Sequence, residues 1–130
     1  MNTNNQPDIE IYVKDATVDE LRSWLQKRLD ARQVEPVRST VTQLYAERDG
    51  LIIPVRIMTA VVGKAWSCVW FDSPDTPWAD DLACGRDCFA VLGKEVRCSA
   101  GNFDETRGDD PDAFIRINAD GEQAISWKTG

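Results

Sequence analysis

Histidine is absent from this chain of 130 residues. That absence removes the commonest general base, every Ser-His or Cys-His nucleophile arrangement, and the usual nitrogen ligand of zinc. Long apolar runs are absent too: none approaches the ~20 residues that span a bilayer. The opening "MNTNNQPDIE" has neither the basic stretch nor the apolar core that directs secretion. A cytoplasmic location is the expectation, in a reducing compartment that keeps cysteines as thiols. The glycines sit singly at turns and helix ends, so no glycine-rich phosphate cradle is present. "NADGEQ" and "FDETRGDDPD" lack the alternating oxygen ligands of a calcium loop. Arg107-Gly108-Asp109 reads as a chance match to an integrin-binding triplet.

Bases are scarce where acids are dense. Between Asp72 and Asp112 stand eleven acids against four bases, Arg86, Lys94, Arg97 and Arg107, and this stretch carries the whole net charge of −7. Binding to nucleic acid or to an anionic membrane needs clustered Lys and Arg, so both are disfavoured. The acidic stretch reads either as a solvated face that aids solubility or as a docking surface for a basic partner.

What is present fits one small domain. Residues 1–7 are polar, end in Pro7 and read as a flexible N-terminal arm; residues 8–130 read as a single unit. "IEIYV" alternates as a strand. "ATVDELRSWLQKRLDA" follows as a helix, with Thr17 and Glu20 at capping-box spacing and Val18, Leu21, Leu25 and Leu29 on one stripe. Trp24 falls beside that stripe. Three strands are expected next, over "TVTQLYAE", "LIIPVRIMTAVV" and "AWSCVWF", the first two joined at Asp49-Gly50. Pro54 cannot donate to a ladder and should lie where its strand lacks a neighbour on that side. Thr76 and Pro77 offer helix-start chemistry for a second helix from Trp78 to Leu92, ended by Gly93. "EVRCS", a long polar loop over 101–112, and a hairpin with Asp120-Gly121 in its turn complete the chain. The expected fold is α+β, in the order β-α-βββ-α-βββ, with a mostly antiparallel sheet and two helices packed on one face.

Two groups of residues invite a functional reading. Cys84 and Cys88 lie four apart on the second helix, at the margin of its apolar stripe, with Asp81 on the same flank. The pair has zinc-compatible spacing, but two further ligands would have to be Cys68 and Cys98, lone cysteines on separate strands. Packing of small apolar thiols is the simpler reading, with no metal and no cofactor. The second group is aromatic. Trp66, Cys68 and Trp70 share one strand face, and Trp78 opens the second helix. Such indoles either bury large apolar area or act as interface anchors. Trp70, Asp72, Asp75, Trp78, Asp80 and Asp81 together suit a protein partner that presents an apolar residue flanked by Lys or Arg.

Small acidic chains with helices beside a meander resemble secretion chaperones and related regulatory proteins in architecture, and that likeness implies a chaperone-like binding module. Uncovered antiparallel edges invite self-pairing, which makes a homodimer one expected arrangement. The favoured function is a non-catalytic, intracellular protein-binding or regulatory module. A cysteine-dependent metal-binding or thiol-redox protein, and an enzyme using Asp or Glu in a cleft, are the alternatives.

Overall fold

A computed structural model of the chain describes residues 8–99 and 112–129. The expected arm over 1–7 and most of the expected polar loop lie outside the described residues. Two helices and an antiparallel sheet give an α+β fold: β1 (Ile9–Lys14), α1 (Val18–Arg28), β2 (Asp30–Arg38), β3 (Val41–Arg48), β4 (Leu51–Val62), β5 (Trp66–Phe71), α2 (Asp81–Leu92), β6 (Val96–Ser99), β7 (Ala113–Asn118) and β8 (Gly121–Ser126). Among the described residues eight strands form one sheet in the order β2-β3-β4-β5-β1-β6-β7-β8. The first strand is thus the seam. It pairs with β5 from Ile9↔Phe71 to Lys14↔Trp66 and with β6 at Tyr12↔Arg97, joining two meanders that would otherwise each expose an edge.

The order differs from expectation by one strand. Residues 30–38, "DARQVEPVR", form β2, and α1 stops at Arg28 rather than reaching Ala31. Pro36 and the poor alternation hide this strand in the sequence. Its place at the sheet edge explains both features, because an edge strand has one side without ladder bonds and tolerates proline and register shifts.

Local chemistry elsewhere behaves as its residues dictate. The Thr17 hydroxyl accepts the Glu20 N–H at 3.1 Å, and the Glu20 carboxylate accepts the Thr17 N–H at 2.9 Å, a complete capping box. Asp49 and Gly50 take φ of 53° and 81°, the left-handed pair that a tight hairpin requires. Gly93 ends α2 at φ 68°. Pro54 directs its carbonyl to the Asp72 N–H, 2.9 Å away, so its missing donor faces the chain just past the end of β5. The last hairpin turns on Ala119 and Asp120 instead of Asp120-Gly121: Asn118 pairs with Gly121, and the Asn118 side chain accepts the Asp120 N–H at 2.9 Å.

The second helix starts later than expected. Asp80 is the N-cap, its carboxylate accepting the Ala83 N–H at 2.8 Å. Thr76 is instead buried, donating to the Trp78 carbonyl. Helix α2 is also rotated from its expected setting. Cys84, Gly85 and Cys88 are its buried residues, while Leu82, Phe89 and Leu92 are half-buried. The cause is visible at Gly85. A Cβ there would come within 3.1 Å of Ile117 and 3.2 Å of Val96, so the missing side chain lets the helix backbone settle onto β6 and β7. Residues of both helices share one core cluster with Ile9, Ile11 and Val13. No helix among the described residues is long and apolar enough to cross a membrane.

Candidate functional site

Alternation divides the central strands into two sets of side chains. Ile9, Ile11 and Val13 of β1, Val69 and Phe71 of β5, and Val55 and Ile57 of β4 enter the core cluster. The intervening residues, Glu10, Tyr12, Trp66, Cys68, Trp70, Arg56 and Met58, point to the other side. Trp66, Cys68 and Trp70 therefore share a face, and it is the face away from the core cluster.

That face has two parts. Over β1, β6 and β7, residue Trp127 folds across the sheet, with ring centroids 5.3 Å from Tyr12, 4.7 Å from Trp66 and 5.2 Å from Phe114. The Arg97 guanidinium lies 4.7 Å from the Trp66 ring centroid and 4.6 Å from that of Trp127, and its Nε donates to Glu95 at 3.0 Å. These contacts leave Trp66 and Cys68 buried. Over β3, β4 and the end of β5 the described residues supply no such cover. A cavity of about 210 Å³ opens there, lined by Gln43, Tyr45, Pro54, Arg56, Trp70 and Asp72.

The six residues expected to meet a partner have different surroundings. Trp70 is half-buried on this face, its indole N–H donating to Asp8 at 2.9 Å, and exposed Asp72 stands beside it in the cavity wall. Trp78 is a core residue, which corrects its reading as an anchor. Its ring stacks on Trp24 at 5.6 Å, and its indole N–H donates to Asp87 at 3.1 Å. The same Asp87 accepts the Arg28 Nε–H on both carboxylate oxygens, at 2.7 and 2.8 Å, tying the end of α1 to α2. Asp75 turns back on Ser73 and offers its carbonyl to Arg48. Asp80 caps α2, and Asp81 accepts the Glu10 N–H at 3.1 Å. Gln43, Tyr45 and Arg56 carry no functional signal in the sequence, and Pro54 is marked there only by its missing N–H. Beyond that, their trace is alternation along two strands, which reveals a face but not what lies beside it.

Among the described residues Asp81 has the carboxyl raised furthest. Burial pushes it up to about 6, with the charges of Glu10, Asp8 and Asp80 adding and the Glu10 N–H opposing. Because the folded protein holds this proton more tightly than the unfolded chain, the associated stability is complete below the unfolded value near 4 and is lost as pH rises through 6. Asp81→Asn keeps the acceptor for Glu10 and removes the charge. We expect it to match the wild type at pH 4 and exceed it at pH 7 by about 1–2 kcal/mol, a range already reduced for solvent screening. Urea unfolding at both pH values checks this, and parallel wild-type and variant pH profiles would refute it.

All four cysteines are free and buried. Burial pushes the thiols of Cys88 and Cys98 up to about 12 and also raises those of Cys68 and Cys84. Cys98 shares the core cluster with Cys84 and Cys88, whereas Cys68 points to the opposite side of the sheet. The set considered for metal is thus split by the sheet. Among the described residues no group of three or more Cys, Asp or Glu is placed to hold a metal ion. An aromatic disulfide reagent at pH 8 should leave the native thiols untouched and titrate all 4 after denaturation. Rapid labelling of one native thiol would contradict the burial.

Comparison with protein-family models, with curated proteins and with solved structures finds no match for this chain.

Proposed function

We propose that this chain is a non-catalytic protein-binding module that docks its partner on the part of the sheet left uncovered by Trp127 and by the helices. In this reading both helices lie on the Ile11 side, residues from Asp8 onward act as one unit, and the module works inside the cell. The observation that carries the reading is the contrast within one sheet face. One part is sealed by an aromatic and arginine cluster, while the other keeps Tyr45, Pro54, Met58 and Trp70 only partly covered. Partly covered aromatic residues beside carboxylates are the material of protein interfaces, with aromatics as anchors and charge as the selector. Glu10, Asp8 and Asp72 near Trp70 favour a partner with a basic and apolar surface.

A photo-crosslinking residue at Met58, on this face but outside the cavity lining, tests the proposal against the same residue at exposed Ala90 on α2. The Met58 position should yield one discrete adduct in cells, weakened by salt, and Ala90 none. The captured protein, once purified, should bind the wild type and lose about tenfold or more in affinity for Met58→Arg. Identical adducts from both positions, or unchanged affinity for Met58→Arg, would refute the docking face. An adduct between two copies of this chain would make the partner a second copy.

A further inference from the structure

The cavity over β3, β4 and β5 narrows what such a partner presents, and this inference rests on the docking reading above. Its floor is rigid. Gln43 is buried, its amide donates to the carbonyls of Leu44 at 3.2 Å and Val55 at 3.1 Å, and its oxygen accepts Arg56 Nε at 3.0 Å. Asp8 holds the Trp70 indole by its N–H. Tyr45, Trp70 and Pro54 supply apolar ring surface around a space of about 210 Å³. That space admits one side chain and not a folded segment.

Charge selects the side chain. Asp72 is exposed and enters no ion pair among the described residues. Asp8 and Glu10 stand at Trp70, the first through its hydrogen bond and the second as its cross-strand neighbour. Of these carboxylates Asp72 lines the cavity, as does one guanidinium, Arg56, while Asp8 and Glu10 adjoin the indole outside the lining and add to the negative potential there. A cation set over an aromatic face is drawn by the ring quadrupole, and a nearby carboxylate adds to that attraction. We propose that this cavity receives a lysine or arginine side chain of a protein partner, its stem against Tyr45 and Trp70 and its charge toward Asp72. Arg56 opposes the incoming charge, which gives the site two residues with opposite expected effects.

Blocked tripeptides titrated into the full chain test this. Acetyl-Ala-Lys-Ala-amide and its arginine counterpart are the probes, with norleucine or glutamate at the centre as controls. The readout is the Trp70 indole N–H resonance, assigned by its loss in Trp70→Phe. Lysine and arginine peptides should shift it saturably, and norleucine and glutamate peptides should not. Asp72→Asn should weaken binding about threefold to fivefold, and Arg56→Gln should strengthen it by a similar factor. Preference for the glutamate peptide, with the two variants acting in the reverse sense, would identify an anion site and overturn the inference. If no peptide moves the resonance while the Met58 adduct persists, the cavity inference falls and the docking face stands. If the lysine peptide binds and the Met58 adduct is absent, the cation site stands and the protein partner is lost.

Discussion

Trp24→Ala should lower the unfolding free energy by about 3–5 kcal/mol, the range for removing a large aromatic ring from a core. Trp24 is fully buried between the helices and the sheet. Its ring stacks on Trp78 at 5.6 Å and meets Phe71 edge-on at 6.2 Å, and Phe71 and Trp78 are themselves 5.1 Å apart. Alanine would open a cavity among three elements, α1, β5 and the approach to α2, which cannot all close at once. Domains of this size have a total stability of about 5–15 kcal/mol, so the variant should stand close to unfolding. Among the described residues the Trp24 indole N–H is the one buried side-chain polar atom without a hydrogen-bond partner. Trp24→Phe removes that orphan donor, whose burial costs about 1–3 kcal/mol, and keeps much of the ring contact. It should therefore lose less than half of what alanine loses. Guanidinium unfolding with an unchanged slope measures both. An alanine variant within about 1 kcal/mol of wild type would show that the aromatic cluster is not central to stability.

Trp127→Ala should cost about 2–4 kcal/mol, and its effect should be local. Three edge or tilted ring contacts and the cation contact with Arg97 are lost together. The Trp127 N–H bond to the Asp112 carbonyl, 2.8 Å long, is a backbone bond that the alanine variant retains. What changes is the cover over Trp66 and Cys68, now 8% and 2% exposed. Cys68 should therefore become the first native thiol to react with an aromatic disulfide reagent, ahead of Cys84, Cys88 and Cys98. The newly opened aromatic surface should also promote self-association, measurable by sedimentation. Uniform labelling of all thiols would point instead to global loosening, and no gain in labelling would mean that Trp127 does not seal this part of the sheet.

Features legible in the sequence depend on neighbours in the chain. Thr17 and Glu20 cap α1 because three residues separate them, whatever lies around the helix. Asp49-Gly50 turns the chain, and Gly93 stops α2, for backbone reasons that act within a few residues. The misreadings have a common origin in contacts between distant segments. Thr76 and Asp80 both offer a side-chain oxygen ahead of an apolar run, and burial of Thr76 beside Trp78 decides between them. Trp24 lies beside the stripe of α1, yet it is fully buried because α2 and Trp78 close the angle on that flank. Counting apolar residues along α2 puts Cys84 and Cys88 at the margin of its stripe. Gly85 belongs to that apolar count, but it is its missing side chain that turns their side of the helix toward β6 and β7.

By itself the sequence determined the types of nine of the elements, the capping box of α1, the Asp49-Gly50 turn, the Gly93 stop, the alternating strands, the thiols' lack of histidine partners and the lopsided negative charge. These follow from backbone geometry and composition, which act over one or two turns of chain. Only the tertiary structure decided that β1 is the seam of the sheet, that β2 is an edge strand, that Trp78 is core while Trp70 is not, and that Gln43, Tyr45, Arg56 and Asp72 meet around one cavity. The reason is that pairings such as Ile9↔Phe71 and Ile11↔Val69 acquire their burial energy only when strands distant in the chain come together, and no local pattern encodes which strands those are.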